Sequence, residues 1–120
     1  MRRQRSGTIV GISSIAGDRG RKARPVYGAT KAALNAYLDS LRYRLHGEGV
    51  HVCTIRPGHV TTPMTSGMKL VTPIDADRAA REILAAVRAR ADVRYVPGRW
   101  RLVSLAIRLL PSALMRRLEF

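Results

Sequence analysis

The chain has 120 residues, room for one small domain around one core. Hydrophobic residues make up 46% and aromatics 5%, without low-complexity tract or internal repeat, which excludes a disordered tail or a repeat array. The 22 Lys and Arg against 8 Asp and Glu give a formal charge of +14, but the arginines are dispersed, base-stacking aromatics are few and no nucleic-acid motif occurs, so no nucleic-acid partner is expected.

The basic start "MRRQRSGTIVGIS" carries an apolar run of about five residues, short of a signal-peptide core. "MRRQ" itself reads as the end of a helix. "GTIVGIS" (7–13) is a β-branched run of the kind buried in a parallel sheet. It has no charge or proline to protect an edge and reads as a central strand lacking a neighbour, so self-association is expected. "DRGRKARP" (18–25) is a polar loop ending in Pro25, which suits a helix start. From Val26 to about Leu45, Ala29, Ala33, Ala36, Tyr37 and Leu41 recur at three and four, predicting an amphipathic helix closed by "HGEG" (46–49).

"VHVCTIR" (50–56) predicts a second strand, stopped by Pro57-Gly58. The lone cysteine, Cys53, lies inside it as an inert thiol; with no internal disulfide possible, the cytoplasm is the expected compartment. A loop follows over 59–73, then a helix over 75–91 with acids in its first turn and arginines towards its end. "VRYVP" (93–97) is a third short strand. The tail from Arg99 predicts an amphipathic helix interrupted by Pro111. Its apolar stretch, 102–110, contains Arg108 and falls well below the ~20 residues of a spanning helix. The order β-α-β-α-β-α predicts an α/β fold with a parallel sheet, residues 1–98 forming the domain and 99–120 the tail.

Chemistry is carried by three stretches: "GTIVGISSIAG" (7–17), "YGATKAAL" (27–34) and "IRPGHVTTPM" (55–64). Tyr27 and Lys31 alone would read as two side chains on one helical face. Together, the three stretches resemble the C-terminal half of short-chain dehydrogenases/reductases, over about residues 5–100. The resemblance implies half of a Rossmann-type doubly wound sheet, an NAD(P)(H) cofactor and a small carbonyl or alcohol substrate. A phenol loses its proton only near pH ~10, and an ammonium one turn away favours the phenolate.

By resemblance Tyr27 is the acid/base, Lys31 binds the nicotinamide ribose, and the serine thirteen positions before Tyr27, Ser14, hydrogen-bonds the carbonyl oxygen. Ser13 keeps a lesser candidacy. Pro57 and Gly58 would lie along the nicotinamide, with Val60 touching its carboxamide through the backbone and Thr62 through its hydroxyl; Thr61 is one position off the pattern, and His59 takes a variable place. No metal is expected: His46 and His51 belong to no ligand-spaced cluster. Ser66 and Gly67 belong to the substrate loop.

The family's glycine-rich pyrophosphate turn, its N-A-G stretch and its relay asparagine have no counterpart in these residues. The resemblance therefore implies that the chain starts about halfway through the fold, lacks the adenosine half of the cofactor site and, alone, binds NAD(P)H weakly or not at all; the alternative is a non-enzymatic truncated remnant, or an interaction module pairing with a full-length relative. A narrower resemblance, carried by "AGDRGRKARPVYGATKAAL" and "VPGRWRLVSLAIRLLPSALMRRLEF", is to the reductase subunit of decaprenylphosphoryl-ribose 2-epimerase and its relatives. In the tail, Leu102, Val103, Leu105, Ala106, Ile107, Leu109 and Leu110 could meet a membrane surface, with Arg99, Arg101, Arg108, Arg116 and Arg117 at anionic headgroups. The competing reading packs the tail on its own sheet or on a second copy in a homo-oligomer.

Overall fold

A computed structural model describes residues 1–119. Three strands, β1 (Gly7–Ile12), β2 (Val50–Pro57) and β3 (Val93–Val96), form one parallel sheet in the order β1-β2-β3. Helices α1 (Pro25–Arg44), α2 (Ala76–Arg88), α3 (Trp100–Leu109) and the single turn α4 (Ser112–Met115) complete an α/β fold, as the alternating order predicted.

The centre of the sheet is β2, buried from Val50 to Ile55. Side chains on a strand alternate between faces. Val50 and Val52 join Leu38 and Leu45 under α1, while Cys53 and Ile55 join Ala79, Ala86 and Val96 under α2. Burial pushes the Cys53 thiol pKa up, which keeps it protonated and inert. Arg42 binds the layers together: its guanidinium donates to the Val52 carbonyl (3.0 Å), Thr54 Oγ1 (2.8 Å), the Asp92 carbonyl (2.8 Å) and Asp39 (2.7 Å). At the start of α2, Asp75 accepts from the Arg78 N–H at 2.7 Å, an N-cap bond that holds its carboxyl below the usual range.

β1 is paired only with β2, so its other edge is open and Val10 and Ile12 are exposed, as expected of a strand lacking a neighbour. Three expectations change. Residues 2–5 form turns, with the Arg5 N–H on the Arg2 carbonyl, instead of a helix end. On α1 the small-residue stripe points the other way from the core: Ala29, Ala33, Ala36 and Tyr37 are exposed, Leu34, Leu38 and Leu41 meet the sheet, and the buried Asn35 lies beside Gly17. Alanine repeats at helical spacing fit either face; the larger leucines decide, because their burial removes more apolar area from water. Finally, α2 ends three residues early, at Arg88, where Arg90 takes a left-handed φ of 51°.

The tail also divides its apolar residues. Trp100 and Ser104 are buried and Ile107 half-buried, whereas Leu102, Leu105 and Leu109 face outward, at 73%, 51% and 75% exposure. No helix among the described residues is long and apolar enough to cross a membrane.

Candidate active site

The carboxyl ends of β1 and β2 lead into the two loops that carry the predicted residues, the place where open α/β sheets bind ligands. After β1 the chain makes a 3-10 turn, Ile15–Gly17, capped by Ser14, whose Oγ accepts from the Ala16 N–H at 3.1 Å. Ser13 faces elsewhere: its hydroxyl donates to the Lys31 carbonyl at 3.2 Å and its N–H to the Ile55 carbonyl at 2.8 Å. Ser13 is thus committed to holding the turn on α1 and β2, and Ser14 keeps a proton to donate.

Gly17 sets how close that turn comes to α1. A Cβ there would stand 2.6 Å from the Lys31 carbonyl carbon and 2.8 Å from the Ala32 nitrogen, both backbone atoms with little room to yield. Gly17→Ala is expected to cost about 1–3 kcal/mol through overpacking. Urea unfolding checks it; an unchanged midpoint would mean that the turn and helix do not touch.

Tyr27, in the first turn of α1, is 38% exposed, and its hydroxyl has no hydrogen-bond partner among the described residues. Lys31 Nζ lies 5.7 Å from the Tyr27 ring centroid and donates to the Ile12 carbonyl at 3.0 Å, at the carboxyl end of β1. Ser14, Tyr27 and Gly58 border one cavity of about 820 Å³. Lys31, Pro57, Val60 and Thr62 stand outside its lining. Pro57 ends β2, Val60 bridges to Ile74, and the Thr62 N–H donates to Thr65 Oγ1 at 2.9 Å. Thr65 Oγ1 also donates to the Val60 carbonyl at 2.9 Å, so Val60 and Thr62 are held in one knot while the Val60 N–H stays unpaired among the described residues.

Two features were not read from the sequence. His59 is a fastener: its Nδ1 accepts from the Val71 N–H at 2.8 Å, closing the 59–71 loop, and its ring meets Trp100 edge-on at 5.0 Å. Asp18 is the centre of a buried polar cluster. It accepts from Arg56 Nη1 (2.9 Å), Tyr95 Oη (3.0 Å) and Ser104 Oγ, tying the serine turn to β2, β3 and α3. Arg19, next in line, donates to the Arg108 carbonyl (2.9 Å) and the Leu110 carbonyl (3.0 Å), covering orphan acceptors at the end of α3. Polar loop residues look solvated in a sequence; only partners 12 to 91 positions away reveal their role.

A parallel sheet flanked by helices, with a serine, a tyrosine and a lysine gathered at its strands' carboxyl ends, defines a Rossmann-type α/β protein. The chain belongs to the short-chain dehydrogenase family, whose profile matches residues 1–70. It is 39% identical to an uncharacterised oxidoreductase of Streptomyces coelicolor over 98% of this chain and 47% of that protein. A Mycobacterium tuberculosis oxidoreductase, also uncharacterised, is 40% identical over 98% of this chain and 48% of its own length. The chain thus spans about half the length of the curated relatives it matches. Among solved structures, a short-chain dehydrogenase from Burkholderia cenocepacia in complex with NADP superposes with a TM-score of 0.82 at 24% identity, over 96% of this chain and 50% of that one. One from Sphingobium yanoikuyae, in complex with NADPH, gives 0.73 at 24%, over 98% and 48%.

Proposed function

We propose that the chain carries the proton-transfer centre of an NAD(P)-dependent oxidoreductase that interconverts a carbonyl and an alcohol. The observation that carries the reading is that Ser14 and Tyr27 line one cavity, with the Lys31 ammonium beside the Tyr27 ring. In the reducing direction Ser14 donates a hydrogen bond to the carbonyl oxygen, and Tyr27 Oη hands its proton to that oxygen as the C=O bond becomes CH–OH. Lys31 stabilises the negative charge left on the phenol oxygen.

A nicotinamide cofactor supplies or accepts the hydride when bound. The chain's residues fit its nicotinamide end. Lys31 Nζ has two donors beyond the bond to Ile12, which suits ribose hydroxyls. The unpaired Val60 N–H and the Thr62 hydroxyl suit the carboxamide, and Pro57-Gly58 supplies a backbone stretch along the ring.

The test incubates the full chain with NADH or NADPH and a panel of ketones and aldehydes, following loss of reduced nicotinamide and formation of alcohol. Carbonyl-dependent turnover is expected, slow and rising with nicotinamide concentration without saturating, because the residues that would hold the cofactor's adenosine end have no counterpart in this sequence. A folded chain that binds cofactor but turns over nothing would favour the second reading, an interaction module pairing through the open edge of β1. Two surfaces support further contacts. The exposed Ala29, Ala33 and Tyr37 of α1 offer a face to a second copy, and outward Leu102, Leu105 and Leu109, flanked by Arg101 and Arg108, suit an anionic membrane surface.

A further inference from the structure

Resting on the reaction proposed above, we infer that the cavity beside Ser14 and Tyr27 selects a substrate with an apolar body and one oxyanion group. Its volume, about 820 Å³, falls in the range that encloses most of a small organic molecule. Much of the lining is apolar. Met64 and Met68 come from the loop after β2, and Trp100, Val103, Ile107 and Leu110 from α3 and its end. Thioethers adapt to irregular shapes, and the Trp100 ring gives a flat, rigid face. Gly58 admits that ring: a Cβ at Gly58 would stand 2.2 Å from Trp100 Nε1. Such a wall removes apolar surface from water and offers nothing to a small polar ketone.

Charge at the cavity is one-sided. Arg21, Arg24, Lys69 and Arg99 border it, against Glu119 as the single acid among the described residues, and Glu119 is already paired with Lys22 at 2.7 Å. Arg24 Nη2 meets only the Met68 sulfur, at 3.1 Å, Arg99 donates to the Thr72 carbonyl, and Lys69 has no partner among the described residues. These guanidinium and ammonium groups keep donors for a carboxylate or a phosphate, and charge-assisted bonds of this kind are roughly twice as strong as neutral ones. A neutral apolar ligand would use the wall and leave the cations idle; a short anion would do the reverse. The lining suits a ligand that has both parts.

Trp100 is the chain's only tryptophan and is buried in the cavity wall, so its fluorescence reports occupancy directly. The experiment titrates the full chain with decanoate, decyl phosphate, 1-decanol and butanoate, each below its aggregation limit. Saturable changes are expected with decanoate, decyl phosphate or both, about tenfold or more tighter than with decanol, and none with butanoate. Whichever oxyanion binds more tightly identifies the group. Arg24→Gln and Lys69→Gln should each shrink the preference over decanol while leaving decanol binding unchanged, which also shows that the variant is folded. Equal affinity for decanol and both anions would overturn the oxyanion. Butanoate binding as tightly as decanoate would overturn the apolar body, and no saturable change with any probe would overturn the whole inference. Binding without turnover would sink the proposed reaction alone; turnover of short neutral ketones without decanoate binding would sink the substrate class alone.

Discussion

Tyr27→Phe is expected to lower turnover about 10²- to 10⁴-fold, the range that a positioned general acid contributes. The substitution removes one oxygen and nothing else. That oxygen has no hydrogen-bond partner among the described residues, and the side chain is 38% exposed, so folding should change by no more than about 0.5 kcal/mol. The ring stays, and with it the approach of the Lys31 ammonium. A loss confined to kcat, with cofactor binding and the urea midpoint preserved, would place the proton on Tyr27 Oη. Turnover within a few-fold of the parent would remove Tyr27 from the reaction and leave Ser14 as the sole hydroxyl of the three motifs at the cavity.

The same oxygen shows what a sequence can and cannot reveal. Tyr27 and Lys31 are four residues apart on a helix, so their shared face follows from helical geometry, and the three strands follow from β-branched runs closed by glycine and proline. The preference for Ser14 over Ser13 comes from the spacing that the family resemblance implies; in the structure the Ser13 hydroxyl is bonded to the Lys31 carbonyl and Ser14 lines the cavity. Which face of α1 turns inward was harder. Ala29, Ala33, Ala36 and Tyr37 form as regular a stripe as the leucines that cover the sheet, and local periodicity does not contain the partner surface. Hardest were His59 and Asp18. Each reads as a loop residue, and each gains its role from a segment distant in sequence: Val71 and Trp100 for one, Arg56, Tyr95 and Ser104 for the other. Non-local polar bonds leave no periodic trace.

Asp18→Ala is expected to be among the most destabilising single changes in the chain, about 3–5 kcal/mol, because it strands a buried charge. The Asp18 and Arg56 side chains are only 2% and 13% exposed, so water reaches neither freely. Removing the carboxylate leaves the Arg56 guanidinium without its counter-ion and takes an acceptor from Tyr95 Oη and Ser104 Oγ. A domain of this size has about 5–15 kcal/mol in all, so the variant should unfold at far lower urea, with α3 detaching from the serine turn first. Tail proteolysis and Trp100 fluorescence would follow that step, since Ser104 is the hydroxyl through which α3 holds Asp18. Tyr95→Phe, which deletes one donor and leaves the ion pair, should cost only about 1 kcal/mol. The deciding variant is the double replacement Asp18→Leu with Arg56→Met, which removes both charges and fills their volume. It should recover much of the loss, since a buried ion pair contributes less net stability than its halves cost when separated. If the double variant is as unstable as Asp18→Ala, the loss comes from α3 coming away from Asp18 and not from the stranded arginine.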